Sequence, residues 1–226
     1  MKTSSPRRLK KTAPADRRSD IVAGLERLRE GNRRFATGLL SAETLTSRDR
    51  LKKLATEGQR PFASVLACAD SRVPSEMVFD QGLGDLFVCR AAGSVASPLM
   101  IASIEYAATA LETPLTLVLG HTRCGAVAAA VGAVTGSGGP PGSRHIRALA
   151  GKIAPAVREA RRERPEAAED ELVRLTWETN PRLQAREVLA RSPLLRKLRR
   201  EGRWDIVQAV YDIESGYVRF AAGGER

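Results

Sequence analysis

Two short segments of the sequence contain residue types that could bind a metal ion or take part in catalysis. The first covers residues 68–72 (Cys-Ala-Asp-Ser-Arg) and the second covers residues 121–125 (His-Thr-Arg-Cys-Gly). Each follows a short apolar run, so each is expected at the carboxyl end of a buried strand, which is where open α/β sheets hold their ligands. The chain has only three cysteines and two histidines. Two of those cysteines and one histidine therefore fall at one predicted edge.

The donor atoms of these segments suit a zinc ion. Residues i and i+2 of an extended chain point to the same side, so Cys68 and Asp70 can face one point. Cys124 would open the following helix, where the dipole and free N–H groups favour a thiolate. Two thiolates and the imidazole of His121 make a three-ligand set for Zn²⁺ with a fourth position to fill, and mixed nitrogen and sulfur ligands favour zinc over magnesium or calcium.

Three interpretations of these residues remain open at this point. They are a catalytic zinc site, a closed structural zinc site with Asp70 as the fourth ligand, and ordinary buried core cysteines. Arg72 favours the catalytic interpretation, because a guanidinium can hold a carboxylate bidentately, keep Asp70 off the metal and leave the fourth position to water. Cys89 lies inside an apolar run and is predicted to be a core residue. His145, at a predicted helix start, is expected near the surface or behind the ligands.

The elements that must position these segments alternate between strand and helix. Apolar runs predict strands at residues 62–67, 86–89, 115–119, 206–211 and 217–220, and helical spacing predicts helices at residues 21–35, 42–56, 97–111, 124–134 and 143–162. Residues 165–200 are helical by composition and are expected to form an outer layer. The predicted fold class is therefore α/β, with a Rossmann-like, mostly parallel central sheet flanked by helices. The last two strands are close enough for an antiparallel edge hairpin.

Composition and charge bound the remaining possibilities. The chain has 226 residues and is 42% hydrophobic, which suits one domain over residues 19–226 preceded by a disordered basic tail over residues 1–18. The net charge of +11 is concentrated in the flanks, and nucleic acid is not an expected partner. No apolar run is long enough to span a membrane. Three cysteines are too few for a disulfide scaffold, which indicates a reducing compartment and predicts a cytoplasmic protein.

The paired segments and their surroundings resemble the β-class carbonic anhydrases. The family signature is Cys-x-Asp-Ser-Arg followed downstream by His-x-x-Cys-Gly, and here it begins at Cys68 and His121. The resemblance covers residues 68–93 (CADSRVPSEMVFDQGLGDLFVCRAAG), 103–107 (SIEYA) and 117–127 (LVLGHTRCGAV). It extends outward to an N-terminal helix and a final hairpin, over residues 21–222 in all.

The resemblance implies a zinc-dependent enzyme that reversibly hydrates carbon dioxide to bicarbonate and a proton. It implies that Cys68, His121 and Cys124 are the permanent zinc ligands, and that Asp70 is either a fourth ligand or the partner of Arg72. It further implies that the substrate is contacted by Gln59, Phe87, Tyr106 and Gly125. Phe87 and Tyr106 would line an apolar pocket for carbon dioxide, and the Gly125 N–H would lie near the bound anion.

The resemblance also implies a homodimer or a larger oligomer built from dimers. In the family the two N-terminal helices wrap the neighbouring subunit, and Gln59 would reach the substrate across that interface. Some family members have a closed form, in which the aspartate binds the zinc and the arginine is released. That form depends on a tryptophan, and Val65 stands at the tryptophan position here. The replacement therefore predicts that Asp70 pairs with Arg72. Two alternatives stay open, namely a zinc hydrolase of the same fold acting on carbon disulfide or carbonyl sulfide, and a non-catalytic zinc or redox-sensing protein.

Overall fold

A single five-stranded sheet organises the computed structural model, which describes residues 17–41, 47–138 and 142–221. Its strands are β1 (Ala63–Ala67), β2 (Leu86–Arg90), β3 (Leu115–His121), β4 (Asp205–Tyr211) and β5 (Val218–Phe220). They lie in the order β2-β1-β3-β4-β5. The first four run parallel, and β5 pairs antiparallel with β4 at the edge. The α/β fold class, its mostly parallel sheet and its antiparallel edge pair are confirmed.

Helices cover both faces of the sheet. Those of the described residues are α1 (Arg18–Ala36), α2 (Arg48–Glu57), α3 (Ser75–Val78), α4 (Pro98–Thr109), α5 (Gly125–Thr135), α6 (Arg144–Glu163), α7 (Glu169–Arg191) and α8 (Pro193–Arg200), with a 3-10 turn at Ala92–Ser94. Most of the predicted tail (1–16), the predicted start of the second helix (42–46) and part of a predicted loop (139–141) lie outside the described residues. Within the described ranges, no helix combines the length and apolarity needed to cross a bilayer.

The first two helices begin differently: the side chain of Arg17, the residue before α1, makes no capping hydrogen bond, whereas Ser47 caps α2. The first helix begins at Arg18, before the predicted start, and Arg17 pairs with Glu112 at 3.0 Å. In α2 the side chain of Ser47 accepts a hydrogen bond from the Arg50 N–H, which satisfies one of the donors left free at a helix start. This cap explains why the described helix begins at Arg48.

The arginine-rich segment over residues 165–200 is more than an outer layer. It forms two helices, and α7 packs directly against β3 and β4 with Leu172 and Val188 fully buried. The contact is close, since a Cβ built on Gly120 of β3 would lie 2.8 Å from Cγ of Pro181. The exposed arginines of α7 obscured this buried face in the sequence.

The central strands β1 and β3 are buried along their whole length. One sheet face packs with Leu28 and Phe79, and the opposite face packs with Ile104 and Trp204. Burial on both faces explains why these two strands are continuous apolar runs in the sequence. It also fixes the carboxyl ends of β1 and β3 side by side, which is where the two candidate segments begin.

Candidate metal centre

The structure brings Cys68, His121 and Cys124 together. Cys68 directly follows β1, His121 is the last residue of β3, and Cys124 is the cap residue before α5. One ligand atom from each residue lies within 4.8 Å of the other two, and all three side chains are buried. Because β1 and β3 are adjacent parallel strands, their carboxyl ends place the two segments at one point, as the sequence predicts.

The residues present fit a zinc ion. The Nδ1 atom of His121 is 2.9 Å from the carbonyl oxygen of Thr122, whereas the buried Nε2 atom has no hydrogen-bond partner among the described residues. A buried polar atom without a partner is costly, and ligation of a cation through Nε2 would satisfy it. Two sulfurs and one imidazole nitrogen form a donor set typical of Zn²⁺.

The two thiols differ in acidity because they face each other. The pKa of Cys68 is lowered to about 4, mainly by the hydrogen bond with Cys124. His121 and two backbone N–H groups lower this pKa further, and together these contacts outweigh the effect of burial, which raises it. Those N–H groups belong to Gly93, 3.2 Å from the sulfur, and Asp70, at 3.4 Å. The same contact with Cys68, together with burial, raises the pKa of Cys124. A divalent cation would remove the repulsion between two thiolates.

Asp70 is turned toward Arg72. Nε of Arg72 donates to Oδ1 of Asp70 at 3.0 Å, Nη2 donates to Oδ2 at 2.7 Å, and the backbone N–H adds a third bond to Oδ1 at 2.9 Å. The side-chain hydrogen bond from Arg72 is the main reason that the pKa of Asp70 falls to about 2. Of the two arrangements that the sequence leaves open for Asp70, the structure has the carboxylate paired with arginine.

Two arginines bond to the backbone around the ligands. Nε of Arg90 donates to the carbonyl of Cys68 at 3.0 Å, and its Nη2 donates to the carbonyl of Asp70. Nη2 of Arg72 also reaches the carbonyl of Arg123, at 3.2 Å, in the second segment. The backbone around Cys68 is therefore held in place by hydrogen bonds from charged donors. Val65, in the preceding strand β1, is completely buried in the core.

Three small residues shape the surroundings of the ligands. Gly93 has a φ of 67°, and a Cβ there would lie 2.5 Å from Cδ1 of Ile153. Ser94 also adopts a positive φ, of 54°, and donates to the carbonyl of Leu119 at 2.7 Å. Non-glycine residues rarely adopt this left-handed conformation. Gly125 opens α5, and a Cβ there would meet no described atom within 4 Å.

Of the other predicted substrate contacts, Gln59 and Tyr106 lie on the surface of the single chain, and Phe87 is half-buried. Gln59 is exposed between α2 and β1. Phe87 of β2 and Tyr106 of α4 contact each other, with ring centroids 6.1 Å apart, and Tyr106 is 54% exposed. Phe87 packs with the hydrophobic cluster around Leu66, whereas the two ligand cysteines belong to a different cluster. Their predicted roles in binding substrate stay predictions.

The turn after β4 also contacts the second segment, and the sequence does not predict this. Thr122 and Arg123 of the segment bond to Asp212, Ile213 and Glu214 of the turn. The one sequence signal for this contact is the turn composition of residues 212–216 (Asp-Ile-Glu-Ser-Gly), which does not identify the segment that the turn contacts.

We expect the three cysteines to respond differently when the metal is removed. Chelation should make Cys68 react with iodoacetamide at neutral pH about tenfold faster than Cys89, because thiolates are the reactive form. Burial raises the pKa of Cys89 to about 11. Alkylation mapped by mass spectrometry, with and without chelator, measures both rates, and labelling of Cys89 first would contradict the assignment.

An α/β sheet that presents two thiols and one imidazole at the ends of adjacent parallel strands defines a metal-site protein of the open α/β type. A family model for carbonic anhydrases matches residues 63–218 of the chain. Carbonic anhydrase 2 of Mycobacterium tuberculosis is 40% identical over 195 residues, which cover 86% of this chain and 90% of that protein. The chain belongs to the β-class carbonic anhydrases.

Solved structures agree with this assignment. A Coccomyxa β-carbonic anhydrase in complex with acetazolamide is 25% identical, with a TM-score of 0.69 over 87% of this chain and 85% of that chain. A tetrameric β-carbonic anhydrase from Sordaria macrospora is 26% identical, with a TM-score of 0.66 over 78% of this chain and 87% of that chain. The similarity therefore includes most of the fold.

Proposed function

We propose that this protein catalyses the zinc-dependent, reversible hydration of carbon dioxide to bicarbonate and a proton. The main support is that ligand atoms of Cys68, His121 and Cys124 converge within 4.8 Å, beside a carboxylate already paired with Arg72. Zn²⁺ bound there would supply Lewis-acid activation of water near neutral pH. The chemistry of these three donor atoms is the reason for proposing zinc and the reaction that zinc supports.

The surroundings of each ligand prepare it to bind the metal. Backbone N–H groups at the Cys68 sulfur stabilise a thiolate before the metal arrives. The contact between Nδ1 of His121 and the carbonyl of Thr122 leaves Nε2 to face the metal. Cys124 lies at the N-terminus of α5, where the helix dipole favours negative charge. These contacts would hold three donors in position before substrate binds.

The pair formed by Asp70 and Arg72 would keep the fourth position open. Because both carboxylate oxygens accept from the guanidinium, Asp70 is held away from ligation. Oδ1 also accepts from the Arg72 backbone N–H, so it is Oδ2 that keeps a lone pair for a further hydrogen bond. The carboxylate remains ionised at neutral pH, since its pKa is about 2. It would accept a hydrogen bond from water or bicarbonate, and the Gly125 N–H would contact the product anion.

We further propose a homodimer, or a larger assembly built from dimers, in which a neighbouring subunit completes each site with Gln59, Phe87 and Tyr106. The outer face of α4 supports this, because Leu99 is 75% exposed and Tyr106 is 54% exposed. Apolar side chains exposed together are typical of interfaces. Covering them with a second subunit would form the dry pocket that an apolar molecule such as carbon dioxide needs.

Mixing two inactive variants tests whether Gln59 acts across an interface. We expect Gln59→Ala and Cys68→Ala to be poorly active alone. After subunit exchange, a mixed dimer contains one complete site, so activity should return to about a quarter of the wild-type value for random pairing. Stopped-flow hydration assays before and after exchange, with sedimentation to verify the dimer, measure this recovery.

Two outcomes would overturn the shared site. One is an active monomer at assay concentration, because Gln59 could then not act from a neighbour. The other is a mixture no more active than its components after exchange has been verified. Mixing Cys68→Ala with Cys124→Ala is the matched control, since no pairing of these chains restores a complete ligand set.

We propose the cytoplasm as the location of this activity. All three cysteines are free thiols, and two of them must stay reduced to bind zinc. Reducing compartments keep thiols in that form.

A substrate panel tests the proposed reaction. We expect the zinc-loaded protein to hydrate carbon dioxide in a stopped-flow assay much faster than it hydrolyses carbon disulfide or carbonyl sulfide. Preferential turnover of either sulfur compound would identify a different hydrolase of the same fold. Full zinc content without turnover of any of the three would indicate a non-catalytic zinc protein.

A further inference from the structure

The turn after β4 holds the peptide segment between His121 and Cys124. We call residues 212–216 the clamp turn. The Thr122 hydroxyl donates to Oδ1 of Asp212 at 3.1 Å and accepts from the N–H of Ile213, also at 3.1 Å. The Thr122 N–H donates to the carbonyl of Tyr211 at 2.9 Å. Both the backbone and the side chain of Thr122 are therefore fixed to β4 and the clamp turn.

Arg123, the next residue, is held in an unfavourable conformation. Its φ is 58°, in the left-handed region that non-glycine residues rarely adopt. Its guanidinium pairs with Glu214 of the clamp turn, and its carbonyl accepts from Arg72. Such conformations persist where the surroundings impose them. Contacts on both sides of the segment therefore fix the path from His121 to Cys124.

The clamp turn is itself well ordered by hydrogen bonds around Asp212. The carboxylate of Asp212 accepts from the Ser215 hydroxyl at 2.9 Å and from the Glu214 N–H at 3.2 Å. The Gly216 N–H donates to the carbonyl of Asp212 at 2.9 Å. Asp212 thus presents Oδ1 to Thr122 from a fixed position.

Thr122 connects this turn to a metal ligand. Its carbonyl oxygen, 2.9 Å from Nδ1 of His121, accepts the hydrogen bond that directs Nε2 toward the two sulfurs. We propose that Thr122 and Asp212 are positioning residues for the metal centre: Asp212 holds the Thr122 hydroxyl, and this fixes the carbonyl that orients the imidazole of His121. The proposal rests on the proposed function, because it requires that His121 bind the metal. Groups that orient ligands in this way typically affect metal affinity or activity 10–100-fold.

A role in positioning can be separated from a role in folding. Replacing Thr122 with valine removes the hydroxyl and keeps the branched shape. The backbone bond to Tyr211 does not need the hydroxyl, so β4 should remain paired with β3. Serine keeps the hydroxyl and loses only a methyl group. The two substitutions therefore predict opposite outcomes for metal binding.

The test is zinc affinity measured by competition with a chromophoric chelator. We expect Thr122→Val to weaken zinc binding about 10–100-fold relative to wild type, and Thr122→Ser to stay within about threefold. Thr37→Val is the matched control, because within the described part of the chain the Thr37 hydroxyl bonds only to the nearby carbonyls of Arg33 and Arg34. The zinc affinity of this variant should not change. Cobalt substitution adds a second readout, since an altered charge-transfer band would report changed ligand geometry in Thr122→Val.

A double-mutant cycle tests whether Thr122 acts through Asp212. If it does, adding Thr122→Val to Asp212→Ala should weaken zinc binding by less than about threefold beyond Asp212→Ala alone. Thermal unfolding of the metal-free variants identifies any that fail to fold. If Thr122→Val proves unfolded, the zinc affinities of Thr122→Ser, Asp212→Asn and Asp212→Ala still test the proposal. Asp212→Asn should bind zinc more tightly than Asp212→Ala, because asparagine keeps an acceptor oxygen for the Thr122 hydroxyl.

Three results would overturn the proposal. They are wild-type affinity in a folded Thr122→Val, equal losses in the valine and serine variants, and additive losses in the cycle. Failure of the underlying metal centre would look different, because wild-type protein itself would then not bind zinc.

Discussion

Replacing Cys68 or Cys124 with alanine should abolish both zinc binding and carbon dioxide hydration, and replacing His121 with alanine should do the same. Each residue supplies one of three buried donor atoms within 4.8 Å of one another, and the two that remain cannot hold the ion firmly. Zinc content should fall from about one ion per chain to below about 0.1. Metal analysis by mass spectrometry and a stopped-flow assay on the same samples measure both losses.

Cys89 provides the matched control for the cysteine variants. It is as buried as the ligand cysteines, at 5% exposure, but it packs in the separate cluster with Leu66. Cys89→Ala should therefore keep its zinc and its activity, with a small loss of stability from the lost packing. Retention of zinc and full activity in any of the three ligand variants would contradict the ligand assignment.

Replacing Arg72 with methionine should lower the turnover number about 100-fold while zinc content stays near one per chain. The substitution removes the guanidinium that holds both oxygens of Asp70. Without Arg72 the main cause that lowers the pKa of Asp70 is lost, but the ordinary value of 3.8 still leaves the released carboxylate ionised across the assay range. Asp70, two residues from Cys68, is then free to compete for the fourth position.

Arg72→Lys and Arg174→Met complete this experiment. Lysine keeps the charge but lacks the two-pronged geometry, so Arg72→Lys should also lose activity, though less. Arg174 pairs with Asp170 at 3.4 Å on the exposed side of α7, and Arg174→Met should behave as wild type. A turnover number within about twofold of wild type for Arg72→Met would show that the pair does not control the site.

The sequence predicts best what depends on local pattern and on burial. The continuous apolar runs of β1 and β3 reveal strands buried on both faces, and that topology is sufficient to bring Cys68 beside Cys124. Asp70 and Arg72 are two residues apart, so their pairing is also accessible from sequence. Most predicted ends of strands and helices lie within a few residues of those in the structure, because caps such as Ser47 depend on details of the local backbone. The start predicted at residue 42 lies outside the described residues.

Contacts between distant segments are what the sequence does not reveal. Thr122 and Asp212 meet because β3 and β4 are neighbours, and a register of seven paired residues brings their ends together. The buried face of α7 is hidden by its arginines, whose charged groups lie outside while Leu172 packs inside. Gln59 and Tyr106 lie on the surface of the chain, and their contacts with substrate stay predictions.

The most direct test of the central claim is carbon dioxide hydration by one preparation before chelation, after chelation and after metal is restored. We expect activity to disappear as zinc is removed and to return as zinc approaches about one ion per chain, whereas added magnesium restores nothing. Hydration that persists at the original rate with zinc below about 0.1 per chain would contradict a zinc-dependent reaction. A zinc-loaded protein that hydrates carbon dioxide no faster than buffer would contradict it equally.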